Sequence, residues 1–269
     1  MIKACAFCGH ERQLTKEHVW PSGFMNRVGR GGAHYSPKSG KVHGADYVVR
    51  DVCAECNNVH LAELDEYFCA LYDRHLSVAL GANETAVIDY NYDLLCRVLL
   101  KIAYNTARSA GSDSAPFQRL LPYVLRGGGC PPGVALIAEL VSPSFIADRT
   151  GIAAVKEVRP TNVYRSALGR LLTPHGNTVL VRVVAVNSFF FHLLLARNAD
   201  DLQSFELARA EFLSGLRGTV ALAPNAGALI LRSSARDSLS SMLPLLSAKR
   251  DQYRSFFKRK KGRDDRSGS

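Results

Sequence analysis

Four of the seven cysteines form two identical Cys-x-x-Cys pairs, Cys5 with Cys8 and Cys53 with Cys56. A turn of this kind presents two thiolates to one side of a metal ion, and two such turns complete the tetrahedral sulfur set that Zn²⁺ prefers. An odd number of cysteines fits a disulfide framework poorly, which favours metal ligands. The spacing therefore predicts a structural zinc ion around which the amino-terminal segment folds.

Residues that could carry out hydrolysis lie beside these cysteine pairs. Glu17 and His18 are neighbours after the first pair, and Asn57 follows Cys56 directly. A carboxylate next to an imidazole offers an oxygen ligand for a hard cation and a general base. The side-chain carbonyl of an Asn next to a rigid zinc turn suits a second oxygen ligand. These residues predict a metal-assisted hydrolytic site close to the zinc.

At these positions the sequence resembles the HNH endonuclease family, in the subgroup whose ββα-metal finger is braced by a four-cysteine zinc. The resemblance rests on Cys5-x-x-Cys8, Leu14-Thr15-Lys16-Glu17-His18-Val19-Trp20-Pro21 and Cys53-x-x-Cys56-Asn57-Asn58. It covers about residues 1–66, a quarter of the chain. The remainder resembles no family that we recognise.

The resemblance implies an enzyme that hydrolyses phosphodiester bonds of DNA and leaves 5′-phosphate ends. His18 matches the general base that activates water. Glu17 and Asn57 match the ligands of a catalytic Mg²⁺ or Mn²⁺ ion, and the four cysteines match the structural zinc ligands. One such site per chain nicks one strand at a time, so a homodimer is a possible assembly for double-strand cutting.

One position departs from the family pattern. The middle Asn of the motif, which steadies the loop carrying the base, is replaced by Val48. Asp46, Asn26 or Asn58 could take its place, and the sequence does not rank them. The departure keeps open an alternative, a non-catalytic zinc-finger protein that binds nucleic acid. A third interpretation places the function in the remainder of the chain and makes the finger a structural anchor.

The elements that must position these residues indicate an α+β protein with three parts. Residues 1–66 form the finger, residues 67–248 a mixed helix and sheet body, and residues 249–269 a basic tail. Residues 26–45 are predicted to be a loop. Helical spacing extends over Leu61–Leu76, over about Asp89–Ala110 and over Leu202–Leu213, the last with Asp200 and Gln203 as a capping box. Strands are predicted at Val134–Val141, Ile152–Val158, Val179–Val186, Phe189–Leu195, Val220–Ala223 and Ala228–Leu231.

The net charge of +10 points to a polyanionic partner, most simply DNA. Arg97 and Lys101 share one face of a predicted helix with Arg108, and a basic run closes the chain. Contacts to phosphate are predicted for Arg97, Lys101, Lys258, Arg259, Lys260 and Lys261. A solvated helix face and a solubilising tail are the competing interpretations.

Several classes of protein are excluded by composition and hydropathy. The amino terminus lacks the apolar stretch of a secretory signal. The most apolar run, Phe189–Ala196, is interrupted by His192 and is far shorter than the ~20 residues that a membrane span needs. We therefore expect a cytoplasmic protein without a membrane partner, of prokaryotic or phage origin. Cys69, Cys96 and Cys130 are isolated in apolar surroundings and are predicted to be buried without a role.

Overall fold

The computed structural model describes residues 2–29, 33–36, 41–44, 47–146, 156–159 and 164–237. Helices and strands are mixed, a cluster of four cysteines lies near the amino terminus, and a larger sheet follows it. The predicted α+β class is confirmed. The basic run at 258–261 lies outside the described residues.

The amino-terminal part is a small antiparallel sheet with two helices. In chain order it contains β1 (Ile2–Ala4), β2 (Glu11–His18), α1 (Ser22–Val28), β3 (Ala33–Ser36), β4 (Lys41–Gly44), β5 (Val48–Cys53) and α2 (Leu61–Leu71). The sheet order is β1-β2-β5, and β3 pairs with β4 as a separate hairpin. A π-helical turn, Cys56–His60, leads into α2, and a second one, Tyr72–Leu76, follows it.

The loop predicted for residues 26–45 is wrong in part. The end of α1 and the β3–β4 hairpin occupy that range. Turn-forming residues, including Pro37 and Gly40, separate the two short strands in the sequence. Because each strand has only four residues, neither produces a periodic pattern long enough to be recognised.

The body is built around a seven-stranded sheet. Its elements are β6 (Thr85–Asp89), α3 (Tyr92–Ala110), α4 (Leu121–Arg126), β7 (Val134–Ser142), β8 (Ser144–Ile146), β9 (Lys156–Val158), β10 (Tyr164–Gly169), β11 (Val179–Val186), β12 (Phe189–Ala196), α5 (Leu202–Gly215), β13 (Thr219–Ala221) and β14 (Ala228–Asp237). The strand order is β10-β11-β12-β7-β14-β6, and β13 also pairs with β7. Only the β14–β7 pair is parallel among these.

Helix α3 is the central element of the molecule. The side chain of Asn91 accepts a hydrogen bond from the Leu94 N–H and caps its start, and Gly111 ends it in the left-handed conformation. Its apolar residues belong to the core that it shares with the sheet, and its opposite side is buried as well. The helix is buried on both sides because the body sheet covers one of them and the finger covers the other.

The two faces of the sheet are covered by different helices. Along β7, Leu136 and Ala138 belong to the core that contains α3, whereas Ala135 and Ile137 pack with α5. This alternation is the period of two expected for a strand buried on both faces. Helix α5 is capped by Asp201, not by the predicted Asp200.

The Asp201 cap explains the one-residue error. Its carboxylate accepts the Ser204 N–H at 3.1 Å, which fixes the helix start at Leu202. The predicted start at Leu202 is therefore correct, and only the predicted capping residue, Asp200, is off by one. Adjacent Asp residues are equivalent in the sequence pattern, and only the backbone direction distinguishes them.

Finger and body share one apolar core. Buried Trp20 and Val52 of the finger belong to the same cluster as Leu99 of α3 and Leu136 of β7. The predicted boundary after residue 66 falls inside α2, so the chain continues from finger to body without a linker. Within the described ranges, no helix is both long and apolar enough to cross a bilayer.

Candidate functional site

The four predicted zinc ligands lie together. The sulfur atoms of Cys5, Cys8, Cys53 and Cys56 are all within 4.8 Å of one another. The first pair occupies the turn between β1 and β2, where Gly9 has a φ of 75° and donates its N–H to the Cys5 carbonyl at 2.9 Å. The second pair spans the end of β5 and the start of the π-helical turn. Antiparallel pairing of β2 with β5 brings both turns to one point.

The surroundings of these sulfurs favour a bound cation. Burial opposes ionisation of Cys5, but backbone N–H donors outweigh it and lower the pKa of Cys5 to about 7. One of these donors is the Cys53 N–H, 3.3 Å from Cys5 Sγ. Burial raises the pKa of Cys8 and of Cys56, which a bound cation would reverse by stabilising thiolates. The four residues fit a structural metal ion, and this sulfur set is typical of zinc.

Asn57 lies against the strand that carries the predicted catalytic pair. Its Nδ2 donates to the Lys16 carbonyl at 2.8 Å and to Thr15 Oγ1 at 3.0 Å. Both N–H groups of the amide are therefore used in hydrogen bonds, and the Oδ1 atom is the one that could bind a hard metal ion. The structure thus brings the last motif position next to β2, beside the thiol cluster.

Glu17 is part of a buried ion cluster. Only 3% of this residue is exposed, and its Oε1 lies 2.5 Å from the Nζ of Lys101, a fully buried residue of α3. The Nδ2 of Asn105 lies 3.5 Å from the same oxygen. The Nζ of Lys101 is also 2.5 Å from Oδ1 of Asp65 in α2. One ammonium group therefore joins β2, α2 and α3.

The charges in this cluster bear on metal binding. Burial raises the pKa of Glu17, although the ammonium of Lys101 opposes the shift. Burial alone would lower the pKa of Lys101, but the carboxylates of Asp65 and Glu17 more than compensate and raise it. Lys101 remains charged, and its ammonium balances the charge of the Glu17 carboxylate. In this arrangement Glu17 does not fit a divalent metal ion, because its carboxylate is already paired with the ammonium and is closed to solvent.

His18 is the last residue of β2 and lies opposite Val48 of β5. Successive side chains of a strand point to opposite faces, so the imidazole lies on the other side of β2 from Glu17. The residue is half-buried, whereas Glu17 is buried. The imidazole is thus accessible from solvent, and the carboxylate belongs to the interior.

The segment after His18 is held by packing and by a backbone hydrogen bond. The Val19 N–H donates to the Tyr47 carbonyl at 3.0 Å. The ring of Trp20 lies 5.3 Å from that of Phe24 and 5.2 Å from that of Tyr164, measured between centroids. These contacts fix the backbone on the carboxyl side of His18. The family motif has an Asn that steadies this loop, and this chain has Val48 in its place. Of the residues that could replace the motif Asn, Asn26 and Asn58 are exposed, and Asp46 lies outside the described residues.

Two exposed cations, Lys16 and Arg50, lie on the strands that carry and pair with His18. β5 carries one extra residue opposite β2, because Thr15 pairs with Val52 while Glu17 pairs with Val49. The bulge places Arg50 together with Asp51 opposite Lys16, and Asp51 is itself paired with Arg108. Lys16 precedes His18 by two residues and therefore points to the same face of β2.

The predicted phosphate contacts of Arg97 and Lys101 are wrong. Lys101 is fully buried in the ion cluster, and Arg97 is 5% exposed. Arg97 Nε donates to the Val124 carbonyl at 3.0 Å and its Nη2 to the Leu125 carbonyl at 3.2 Å, so it satisfies the last turn of α4. The prediction requires both side chains to be exposed. The sequence does not reveal that a second layer of structure covers this side of α3.

That second layer is the finger, which packs against one face of α3. Besides Lys101, Tyr104 donates its hydroxyl to the Ala6 carbonyl at 3.0 Å. Arg108 lies over the rings of Phe7 and Tyr104, with its Cζ 5.5 and 4.5 Å from their centroids. It also pairs with Asp51. The predicted basic face of α3 is therefore the docking face for the finger.

Asp65 was missed by the sequence interpretation, although a signal exists. It lies four residues after Leu61 and three before Phe68, both of which are fully buried. An acidic residue at core-facing helical spacing predicts a buried partner of opposite charge. Its partner, Lys101, was assigned to the surface, so the pairing was not recognised.

A second buried carboxylate lies in the body sheet. Glu139 Oε1 accepts hydrogen bonds from Ser234 Oγ and Arg236 Nε, both at 2.8 Å, and its Oε2 lies 3.0 Å from His192 Nε2. Burial opposes the effect, but the His192 and Arg236 donors lower the pKa of Glu139 to about 2. Burial lowers the pKa of His192.

No family model matches this chain, and no curated protein or solved structure matches it either.

Proposed function

We propose that the protein is a zinc-braced endonuclease of the HNH type that hydrolyses phosphodiester bonds of DNA. The observation that carries the proposal is the position of Asn57, whose amide donates to the Lys16 carbonyl of β2, beside the thiol cluster and two residues before His18 along the strand. Two antiparallel strands, β2 and β5, are followed by a helix, which is the order that the resemblance implies. Zinc is the proposed occupant of the four thiols.

His18 is the proposed general base. A neutral imidazole accepts a proton from water, whose oxygen then attacks phosphorus in line with the leaving oxygen. Its half-buried position at the end of β2 lets a phosphate approach from solvent. The exposed cations Lys16 and Arg50 lie next to this position on β2 and β5 and would hold the phosphate backbone.

Mg²⁺ or Mn²⁺ is the cation that the resemblance implies, with Asn57 and Glu17 as its ligands. Glu17 is held by Lys101 at 2.5 Å and would have to leave it before taking part. The proposal therefore depends on the base and the phosphate contacts and assigns no step to the ion. Whether nicking requires Mg²⁺ or Mn²⁺ is decided by the assay itself.

The test is the conversion of supercoiled plasmid to nicked circles with Mg²⁺, with Mn²⁺ and with EDTA. His18→Ala should lower the rate by roughly 10²- to 10⁴-fold, the contribution typical of a general base. His10→Ala is the matched control, because His10 is exposed next to the same zinc turn and should leave the rate unchanged. Zinc content, measured by atomic emission, should be the same in all three proteins. Equal nicking by wild type and His18→Ala would overturn the assignment of the base.

The ion pair of Glu17 with Lys101 favours a second candidate, a zinc-finger protein that binds nucleic acid without cleaving it. In that case wild type and His18→Ala bind DNA equally and neither nicks it with any ion. Binding is measured by fluorescence anisotropy against salt concentration. Lys16→Glu combined with Arg50→Glu should reduce the log–log salt slope by about two, since each lost phosphate contact removes about one.

Arg209→Glu is the control for the binding measurement. Arg209 lies on α5 and pairs with Glu206, far along the chain from the finger. This substitution should leave the salt slope unchanged in both candidate functions. Single-stranded DNA and RNA, tested as further substrates, show which nucleic acid the site accepts.

A further inference from the structure

Two cysteines outside the metal cluster are in contact with each other. Cys96 is fully buried in α3, and Cys130 is half-buried in the segment between α4 and β7. Their sulfur atoms lie 3.8 Å apart. A disulfide needs ~2.05 Å between the sulfurs, so the pair must approach by less than ~2 Å to close. The sequence predicted both residues to be without a role, because 34 positions separate them.

The backbone before Cys130 is suited to such a movement. Gly127, Gly128 and Gly129 have φ values of 70°, 95° and 96°. Glycine adopts this region without steric cost and has access to more backbone conformations than any other residue. The three residues therefore form a pliable connection to the end of α4, whereas Cys96 is fixed in the middle of a packed helix.

The two thiols differ in the way that a redox pair requires. The Cys96 thiol donates to Cys130 and lowers the pKa of Cys130, burial opposes this, and the hydroxyls of Tyr92 and Tyr123 lower it further. The Asp93 carboxylate acts in the opposite sense. The same contact and burial raise the pKa of Cys96 well above its ordinary range. The more accessible sulfur is thus the one that ionises more readily, and the buried one is placed to act as its resolving partner.

We propose that Cys96 and Cys130 form a peroxide-sensitive dithiol that closes to a reversible disulfide. The Cys130 thiolate attacks one oxygen of hydrogen peroxide, the O–O bond breaks, and the released hydroxide takes up a proton to become water. Cys130 is then a sulfenic acid. The Cys96 sulfur loses its proton and attacks the Cys130 sulfur, the S–O bond breaks, and the oxygen leaves as a second water. Overall, two thiols and one peroxide give one disulfide and two waters.

The disulfide would tie the segment after α4 to the helix on which the finger docks. It closes a loop of more than 30 residues, which restricts the unfolded chain. We expect the midpoint of thermal unfolding to rise by roughly 5 °C on oxidation and to return on reduction. The inference is independent of the nuclease proposal, because it concerns residues of the body and is read without a nucleic acid.

The experiment treats the full-length, zinc-loaded protein with one to ten equivalents of hydrogen peroxide, followed by alkylation and digestion without reductant. Mass spectrometry should find the Cys96 peptide linked to the Cys130 peptide as the main product, and dithiothreitol should restore both thiols. Cys96→Ser should instead accumulate a sulfenic acid at Cys130, trapped by dimedone. Cys69→Ser is the matched control and should oxidise like wild type.

The proposal is overturned if peroxide leaves Cys96 and Cys130 as free thiols while the metal-binding cysteines oxidise and zinc is released. It is equally overturned if Cys130 goes on to the sulfinic acid with Cys96 still reduced. The linked peptide is sought in the wild-type protein, so the result stands even where the Cys96→Ser variant does not fold.

Discussion

Finger and body each bury one glutamate, and the two respond to burial in opposite ways. Glu17 of the finger and Glu139 of the body are 3% and 0% exposed. The pKa of Glu17 is raised, whereas that of Glu139 is lowered to about 2. Glu17 shares the single ammonium of Lys101 with a second carboxylate, Asp65. Glu139 has three donor groups to itself, from Ser234, Arg236 and His192.

The comparison teaches that, at similar burial, the supply of donors decides the direction in which the pKa of an interior carboxylate shifts. In the body, Glu139 is a fully satisfied structural anion that cross-links three strands. In the finger, Glu17 shares one ammonium with Asp65 and is closed to solvent. The same residue type is therefore fully paired in one region and only partly compensated in the other.

The largest expected difference between finger and body comes from replacing one of the metal-binding cysteines. Cys53→Ser should abolish zinc binding and unfold β2 and β5, because structural zinc contributes ~10 kcal/mol or more to small zinc-bound units. Strands β11 and β12 should keep their protection, since their α5-facing side packs in an apolar cluster that contains no finger residue. Hydrogen exchange with mass spectrometry measures both regions, and Cys69→Ser is the control that should retain zinc. Equal loss of protection in the two regions would show that the body depends on the finger.

A smaller difference is expected between the two glutamates. Glu139→Gln should lower the free energy of unfolding by about 2–3 kcal/mol, because Ser234, His192 and the partly exposed Arg236 lose their charged acceptor. Glu17→Gln should lower the free energy of unfolding by about 1 kcal/mol, because Lys101 still pairs with Asp65 and because Glu17 had to share that one ammonium. Urea unfolding followed by circular dichroism measures both values. Similar losses in the two variants would contradict the account based on donor supply.

The pH dependence of the two variants should have opposite signs. The lowered pKa of Glu139 gives stability that is complete above its ordinary pKa near 4.5 and is lost as the pH falls toward 2. The lowered pKa of His192 adds to this loss below pH 6.5, because the unfolded chain protonates first. The raised pKa of Glu17 acts the other way, so its contribution becomes more favourable as the pH falls.

Differences between wild type and variant, measured by urea unfolding at pH 7 and pH 4, isolate these contributions from that of zinc. The cost of Glu139→Gln should shrink at the lower pH, and the cost of Glu17→Gln should grow or stay constant. A cost of Glu139→Gln that increases on acidification would sink the assignment of its pKa.

The smallest effect should come from the element that both regions share. Asn91→Ala removes the cap of α3 and should lower the free energy of unfolding by about 1 kcal/mol. Because finger and body pack on the same helix, protection should fall by the same factor in both. Asn91→Asp retains the cap and serves as the control. A loss confined to the body would show that the finger does not depend on the start of α3.

Much of this architecture could be predicted from the sequence where the signals are local. The segment Val186-Asn187-Ser188-Phe189, between two long apolar runs, predicts a tight hairpin in the sequence. The structure pairs β11 with β12 there, and Asn187 adopts a positive φ of 50°. The four-cysteine cluster follows from cysteine spacing alone. The surface assignment of Arg97 and Lys101 failed because helical periodicity identifies one buried face and gives no sign of a second layer on the other.

The sequence by itself determined the metal ligands, the position of Asn57 next to them and the mixed fold, because spacing along the chain dictates which atoms a turn or a helix presents. Only the tertiary structure decided that Glu17 faces a lysine, that Asp65 joins it and that Cys96 touches Cys130. These contacts join elements that are distant in the chain. Their partners are chosen when α3 is enclosed between finger and sheet, and this packing leaves no local pattern in the sequence.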